Sequence, residues 1–170
     1  MVLFFWGERM KYTDYSKMYD KIFRTMGDLT PLKADCGKLC GVACCKGDEN
    51  TGMRLFPFEE SELNVKTLDN GVRLVVCSGQ CDRQKRPLAC RIFPFFPTVD
   101  DRGRVFVEPD FRGARLCPLI THSDEIVFDK RFFKALKKVG KILAKDEACL
   151  EFLNESTDEI DMYNEFLGGK

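Results

Sequence analysis

In the stretch ADCGKLCGVACCKG, residues 34–47, four cysteines stand within ten positions: Cys36, Cys40, Cys44 and Cys45. Gly37, Gly41 and Gly47 run through the same segment. Cys77, Cys81 and Cys90 follow as a second group, and Cys117 comes after them. Such a set could form disulfides, ligate a metal, build a reactive thiol centre or fill a core.

Disulfides are the weak reading. The 170-residue chain has nine cysteines, an odd number, so complete internal pairing is impossible. The apolar run Val2–Trp6 has no basic residue before it and is too short for a signal-peptide core or a membrane span. No other stretch is long and apolar enough either. The expectation is a cytoplasmic protein whose thiols stay reduced.

Metal ligation accounts for the pattern better. Soft thiolates select zinc, copper(I) and iron–sulfur clusters, and four sulfurs complete a tetrahedral zinc site or hold one cluster. The intervals Cys36–Cys40, Cys40–Cys44 and Cys77–Cys81 each leave three residues between ligands, within the range where one loop supplies two. Gly37, Gly41 and Gly79 let the backbone bend there. Side chains of adjacent Cys44 and Cys45 diverge from any regular element, so the pair serves two neighbouring sites or bridges two metals. Thiolates on a dication leave excess negative charge, which Lys33, Lys38, Lys46, Arg83, Lys85, Arg86 and Arg91 are placed in sequence to offset.

The candidate ligands are therefore Cys36, Cys40, Cys44, Cys45, Cys77, Cys81, Cys90 and Cys117. Cys149, in DEACLEFL, reads instead as a small hydrophobe on an amphipathic helix. His122, the only histidine, follows Cys117 by five positions and reads as a surface or capping residue before it reads as a ligand. Glu59 is either a helix-start carboxylate, a partner of the ligands or a hard iron ligand. Arg86 and Arg91 read as neutralising thiolates or pairing with Asp82 or Glu59, rather than as binding an anionic ligand.

Other chemistries find less support. One histidine without a nucleophile motif gives little from which to build a hydrolytic triad. CSGQC, residues 77–81, lacks the two-residue spacing of the common thiol redox motif. Charges cancel, 27 basic against 27 acidic, so no global field argues for nucleic acid or a membrane.

Apolar periodicity supplies the elements that must position these thiols. Residues 8–27 read as a helix, with Tyr12, Tyr15, Tyr19, Ile22 and Met26 on one stripe and Gly27 ending it. MRLF reads as a short strand, and PFEESELNVK after it as a short proline-led helix. Asn70-Gly71 marks a turn into the β-rich run Val72–Cys77. RIFPFFPTVDDRGRVFVEPD reads as two extended segments joined by Asp100–Gly103, with Pro94 and Pro97 confining the first to a sheet edge. From Ser123 the chain turns helical. Its basic stretch 130–145 and acidic stretch 146–165 imply a helical hairpin whose charges pair or are simply solvated, in preference to binding nucleic acid.

CGKLCGVACC, MRLFPFEESEL and CSGQCDRQKRPLACRIFPF together resemble the zinc- or iron-chelating domain family often called YkgJ-like or CxxCxxCC. Arg86, Pro87, Cys90, Arg91 and Pro94 match its late Arg-Pro-x-x-Cys-Arg-x-x-Pro block, and Cys44-Cys45 match its cysteine pair. Glu59 or Glu60 stands near its acidic position. The likeness covers residues 36–97, and the chain departs from it in having three residues, not two, between the opening cysteines. It implies a metal-binding protein. A domain of this kind is similar to part of flagellin lysine N-methylase, which brings in an iron–sulfur cluster, although no methyltransferase-like domain or glycine-rich nucleotide fingerprint accompanies it here.

The expectation is a single α+β domain over 1–170, with a cysteine-rich metal-binding core at 30–120 and a C-terminal helical region at 123–167. Short antiparallel strands, an N-terminal helix and a C-terminal helical hairpin brace the core. A module holding zinc or iron for structure, storage or delivery is favoured over an enzyme. The alternative is an iron–sulfur redox protein or accessory component of a protein-modifying enzyme.

Overall fold

A computed structural model describes residues 12–34, 36–46, 52–77, 79 and 81–168. The run Val2–Trp6 and the first four positions of the N-terminal helix expected from the sequence lie outside them. Helix α1, Tyr12–Met26, turns Tyr15, Tyr19, Ile22 and Met26 inward, all buried. Gly27 closes it in the left-handed region, φ +49°. Helix α5, Lys130–Leu143, is capped by Asp129, whose side chain accepts from the Arg131 backbone N–H. Its Phe132, Leu136, Val139 and Leu143 are fully buried. Helix α6, Glu147–Gly168, follows after a short turn and buries Cys149, Phe152, Leu153 and Ile160.

Two small antiparallel sheets complete the α+β fold. Strands β1 (Met53–Arg54), β2 (Val65–Thr67) and β3 (Arg73–Val75) form one, in the order β1-β3-β2, with Met53 and Val65 both opposite Val75. The β2–β3 turn contains Asn70 and Gly71, and Gly71 takes φ +82°. Strands β4 (Phe95–Val99) and β5 (Val105–Pro109) form a two-stranded ribbon with Phe95 opposite Pro109 and Val99 opposite Val105. Among the described residues β4 pairs on one side only, and its open edge accommodates the proline ring. Val99 N–H on that strand donates to Thr157 Oγ1 of α6.

Helices α5 and α6 pack on the ribbon, and α1 packs on α5. Gly140 sets how closely α5 approaches. A Cβ there would lie 2.6 Å from Val105 Cγ1 and 2.7 Å from Pro97 Cβ. Helix propensity alone favours alanine over glycine by about 1 kcal/mol. Gly140→Ala is nevertheless expected to lower Tm by several degrees, because relieving overpacking costs about 1–3 kcal/mol in a tight core. A thermal melt monitored by circular dichroism reads the sign directly.

One expectation is corrected. Residues 57–66 do not form a helix. Phe58 adopts φ +58°, Glu59 turns inward to complete burial, and Val65–Thr67 join the sheet. Of the two expected outcomes for the basic and acidic C-terminal stretches, mutual pairing or plain solvation, the lysines take the second. The α5 lysines Lys130, Lys134, Lys137, Lys138 and Lys141 are exposed. Among the described residues, the ion pairs of α6 join Glu155 to Arg54 and Glu159 to Arg112. With α5 facing α1 and α6 facing the other part of the ribbon, the lysine stripe is left to solvent.

Candidate metal centre

The cysteine segment is built from turns. Helix α2, Gly37–Cys40, is a single turn, ended by Gly41 at φ +59° and Val42 at φ +54°. A β-branched residue in the left-handed region is strained, and strain held in place is a mark of functional loops. It reverses the chain into the 3₁₀ turn Ala43–Cys45, where Cys45 N–H donates to Val42 O at 2.8 Å. Cys77 leaves the end of β3, and Gly79 at φ +90° directs the chain towards Cys81. Asp82 then caps the 3₁₀ turn Arg83–Lys85 by accepting from Gln84 N–H at 2.9 Å. Helix α3, Leu88–Ile92, a short element not anticipated from the sequence, carries Cys90. Cys117 precedes helix α4, Pro118–Thr121, whose first residue is a proline suited to that position.

These pieces converge. All eight candidate ligands, Cys36, Cys40, Cys44, Cys45, Cys77, Cys81, Cys90 and Cys117, line one cavity of about 70 Å³. Cys117 is buried and the other seven are half-buried. None of the nine cysteines is in a disulfide. As the side chains stand, no group of three or more Cys, His, Asp or Glu among the described residues is drawn close enough to hold an ion. The thiols border a common space without closing on a point within it.

Cys44, Cys90 and Cys117 are each raised by burial and by neighbouring thiols. Cys90 is pushed up to about 12, first by burial and then by Cys45, Cys81, Glu59 and Cys77. Cys44 is raised by its hydrogen bond with Cys45, by burial, and then by Cys45, Cys36 and Cys40. Burial raises Cys117, and its nearby thiols are Cys36 and Cys40. Cys36 and Cys40 are thus neighbours of both Cys44 and Cys117, while Cys45, Cys77 and Cys81 are neighbours of Cys90. Cys44 and Cys45 are linked by their hydrogen bond.

Arg86 also lines the cavity and donates from Nε to Cys81 Sγ at 3.3 Å. Burial works against its charge, but that hydrogen bond and the thiols of Cys81, Cys45 and Cys90 hold the guanidinium above its ordinary value. Arg91 takes a structural part, donating to the backbone carbonyls of Arg86 and Gln84 and lying 4.6 Å from the Phe23 ring centroid. Lys85 pairs with Glu62.

Two other candidates stand apart from the cavity. His122 is exposed, with Nδ1 2.9 Å from Thr121 Oγ1, and does not line the cavity. Glu59 does not line it either. Its carboxylate accepts from Leu88 N–H at 2.6 Å and Phe56 N–H at 3.2 Å, which ties the start of α3 to the β1 segment. Cys149 is fully buried among core side chains, as its helical setting indicated.

A metal fits this donor set chemically. Packed among other thiols in a partly buried space, Cys44, Cys90 and Cys117 resist ionisation because each thiolate would be desolvated and would meet neighbouring sulfurs. A bound cation reverses that balance, since a coordinating thiol gives up its proton. The cavity volume suits ions or one compact cluster, not an organic cofactor. Compared with protein-family models, curated proteins and solved structures, the chain matches none.

Proposed function

We propose that this chain is a cysteine-thiolate metal-binding protein, with zinc or iron held for structure, storage or delivery. The observation carrying the proposal is that eight of nine cysteines, drawn from separate stretches of sequence, line one small cavity. In this reading Cys36, Cys40, Cys44 and Cys117 hold one metal and Cys45, Cys77, Cys81 and Cys90 a second. Each set supplies four sulfurs, the complement of a closed tetrahedral site. Arg86 stabilises the second set by donating to Cys81. The resemblance to the YkgJ-like family points the same way.

One observation favours the iron–sulfur alternative. The Arg86 hydrogen bond to a ligand sulfur is of the kind that tunes cluster potential. An electron-transfer or enzyme-accessory role would then replace storage. Thiolate ligation of either kind suits a reducing compartment such as the cytoplasm. None of the helices among the described residues is long and apolar enough to cross a membrane.

Metal and acid-labile sulfide analysis of protein purified without oxygen tests the proposal. About two zinc ions per chain and no visible colour are expected for two closed four-sulfur sites. Iron with labile sulfide and a brown colour would select the redox alternative. Protein without metal, and unable to take up zinc or iron after reduction, would overturn both.

A further inference from the structure

A small pocket of about 40 Å³ lies where the turn after α1, residues 27–31, meets the segment that carries Cys90. Arg83, Arg86 and Arg91 all line it, together with Cys36 and Cys90. Cys36, Cys90 and Arg86 also border the cysteine cavity, so the two spaces share a wall. All three arginines are half-buried.

The carboxylates that the sequence offered these arginines are engaged elsewhere. Asp82 accepts from Gln84 N–H, and Glu59 accepts from Leu88 and Phe56 N–H. Among the described residues no ion pair includes Arg83, Arg86 or Arg91. Arg86 uses Nε on Cys81 Sγ, and Arg91 uses Nε and Nη2 on the carbonyls of Arg86 and Gln84. Both Nη groups of Arg86, Nη1 of Arg91 and the whole guanidinium of Arg83 have no acceptor among the described residues. Their charges also oppose one another. Burial works against the Arg91 guanidinium first; Asp28 and Glu59 support its charge, and Arg83 and Arg86 work against it. Asp28 is the one carboxylate on the pocket wall, so three guanidiniums there face a single acid. Neutralising thiolates accounts for Arg86, which touches Cys81, but Arg83 and Arg91 make no hydrogen bond to sulfur.

From this arrangement we infer an oxyanion site that takes a phosphate group, held by Arg83, Arg86 and Arg91 beside the cysteine cavity. A guanidinium presents a planar fork of N–H donors that matches two phosphate oxygens at once. Several such forks on one wall suit a dianion with oxygens in more than one plane better than a single carboxylate. One water needs roughly 10–15 Å³ of such space, so the pocket has room for about three water-sized groups. That is the scale of a phosphate head, with any ester substituent left outside. An anion held here lies against Cys36 and Cys90, one from each proposed four-sulfur set. The binding groups are guanidiniums, so the inference does not rest on the metal reading.

Calorimetric titration of inorganic phosphate into the full chain at low ionic strength tests the site, with metal content measured on the same samples. Saturable one-to-one binding is expected, roughly tenfold tighter than for acetate. Arg83→Gln should weaken phosphate by about tenfold or more, the worth of a hydrogen bond to a charged group. The same variant should keep Tm and metal content, because Arg83 holds no other protein group. Arg86→Gln should weaken phosphate too, but it also removes the Cys81 contact, so the Arg83 variant decides. Glycerol 3-phosphate as a second titrant separates the two sources of the group. Tighter binding than inorganic phosphate identifies a phosphomonoester and weaker binding the free ion, and either supports the site. No saturation at millimolar phosphate overturns the inference, as does unchanged phosphate affinity in Arg83→Gln. Phosphate binding that follows metal content and ignores Arg83 also overturns it, whereas Arg83-dependent binding to metal-free protein supports it whatever becomes of the metal reading.

Discussion

Cys90→Ser is expected to halve the bound metal and lower Tm by about 10 °C. Serine is a hard oxygen donor with a far higher pKa, so the set of Cys45, Cys77, Cys81 and Cys90 would fall to three sulfurs. Structural zinc contributes folding energy outright, on the order of 10 kcal/mol in small zinc-dependent peptides. Complete unfolding is not expected here. The main core, with Ile22, Phe132, Leu136, Leu143 and Leu153, contains none of the eight candidate ligands, whereas Cys117 and Cys36 belong to a separate cluster with Leu119 and Ile120. Losing one site therefore melts one end of the molecule first. Cys44→Ser should show the mirror result, losing the other metal, and Cys149→Ser should keep both. Metal analysis beside a thermal melt separates the possibilities. Loss of all metal from either single variant would point to one shared centre in place of two. Full metal content and an unchanged melt in both variants would sink the assignment of these ligands.

Regular periodicity made the helices legible. The stripe Tyr15, Tyr19, Ile22, Met26 and the stripe Phe132, Leu136, Val139, Leu143 are buried as the spacing of three and four residues requires. The Asp100–Gly103 turn likewise announced the ribbon, because two β-rich runs flank residues that favour reversal. Local pattern failed where burial overrode it. Glu59 lies in a segment whose proline and acids suit a helix start, yet its carboxylate is drawn inward by the N–H of nearby Phe56 and by that of Leu88, twenty-nine residues on. Helix α3 is five residues long, too short to show a period. The eight thiols were identifiable from type and spacing alone, and the fold adds that they border one cavity. Which thiols neighbour Cys117 and Cys90 needed the structure, since that depends on where those two arrive.

Glu59→Ala is the second substitution expected to be severe, although Glu59 touches no candidate ligand cavity. Removing the carboxylate leaves the Phe56 and Leu88 N–H groups buried without their acceptor. Each orphaned donor costs about 1–3 kcal/mol, so the loss should approach 10 °C in Tm for a chain of this size. Because Leu88 begins the helix that carries Cys90, the variant should also weaken metal retention at the second four-sulfur site. Glu59 further predicts a pH dependence. Burial pushes its carboxyl up to about 7, outweighing the stabilising hydrogen bonds from Leu88 and Phe56 and the nearby Arg73 and Arg91. The unfolded chain releases the proton near the ordinary glutamate value, about 4.3. Between that value and about 7 the folded protein binds the extra proton, so stability falls as pH rises through the window and levels off above it. Glu59→Gln should remove that slope while keeping one acceptor oxygen, giving a milder loss than alanine. Chemical denaturation of the metal-loaded protein at pH 5, 6, 7 and 8 measures the slope in both proteins. Equal slopes in wild type and Glu59→Gln would show that the carboxylate is charged throughout and that its two backbone bonds outweigh its burial.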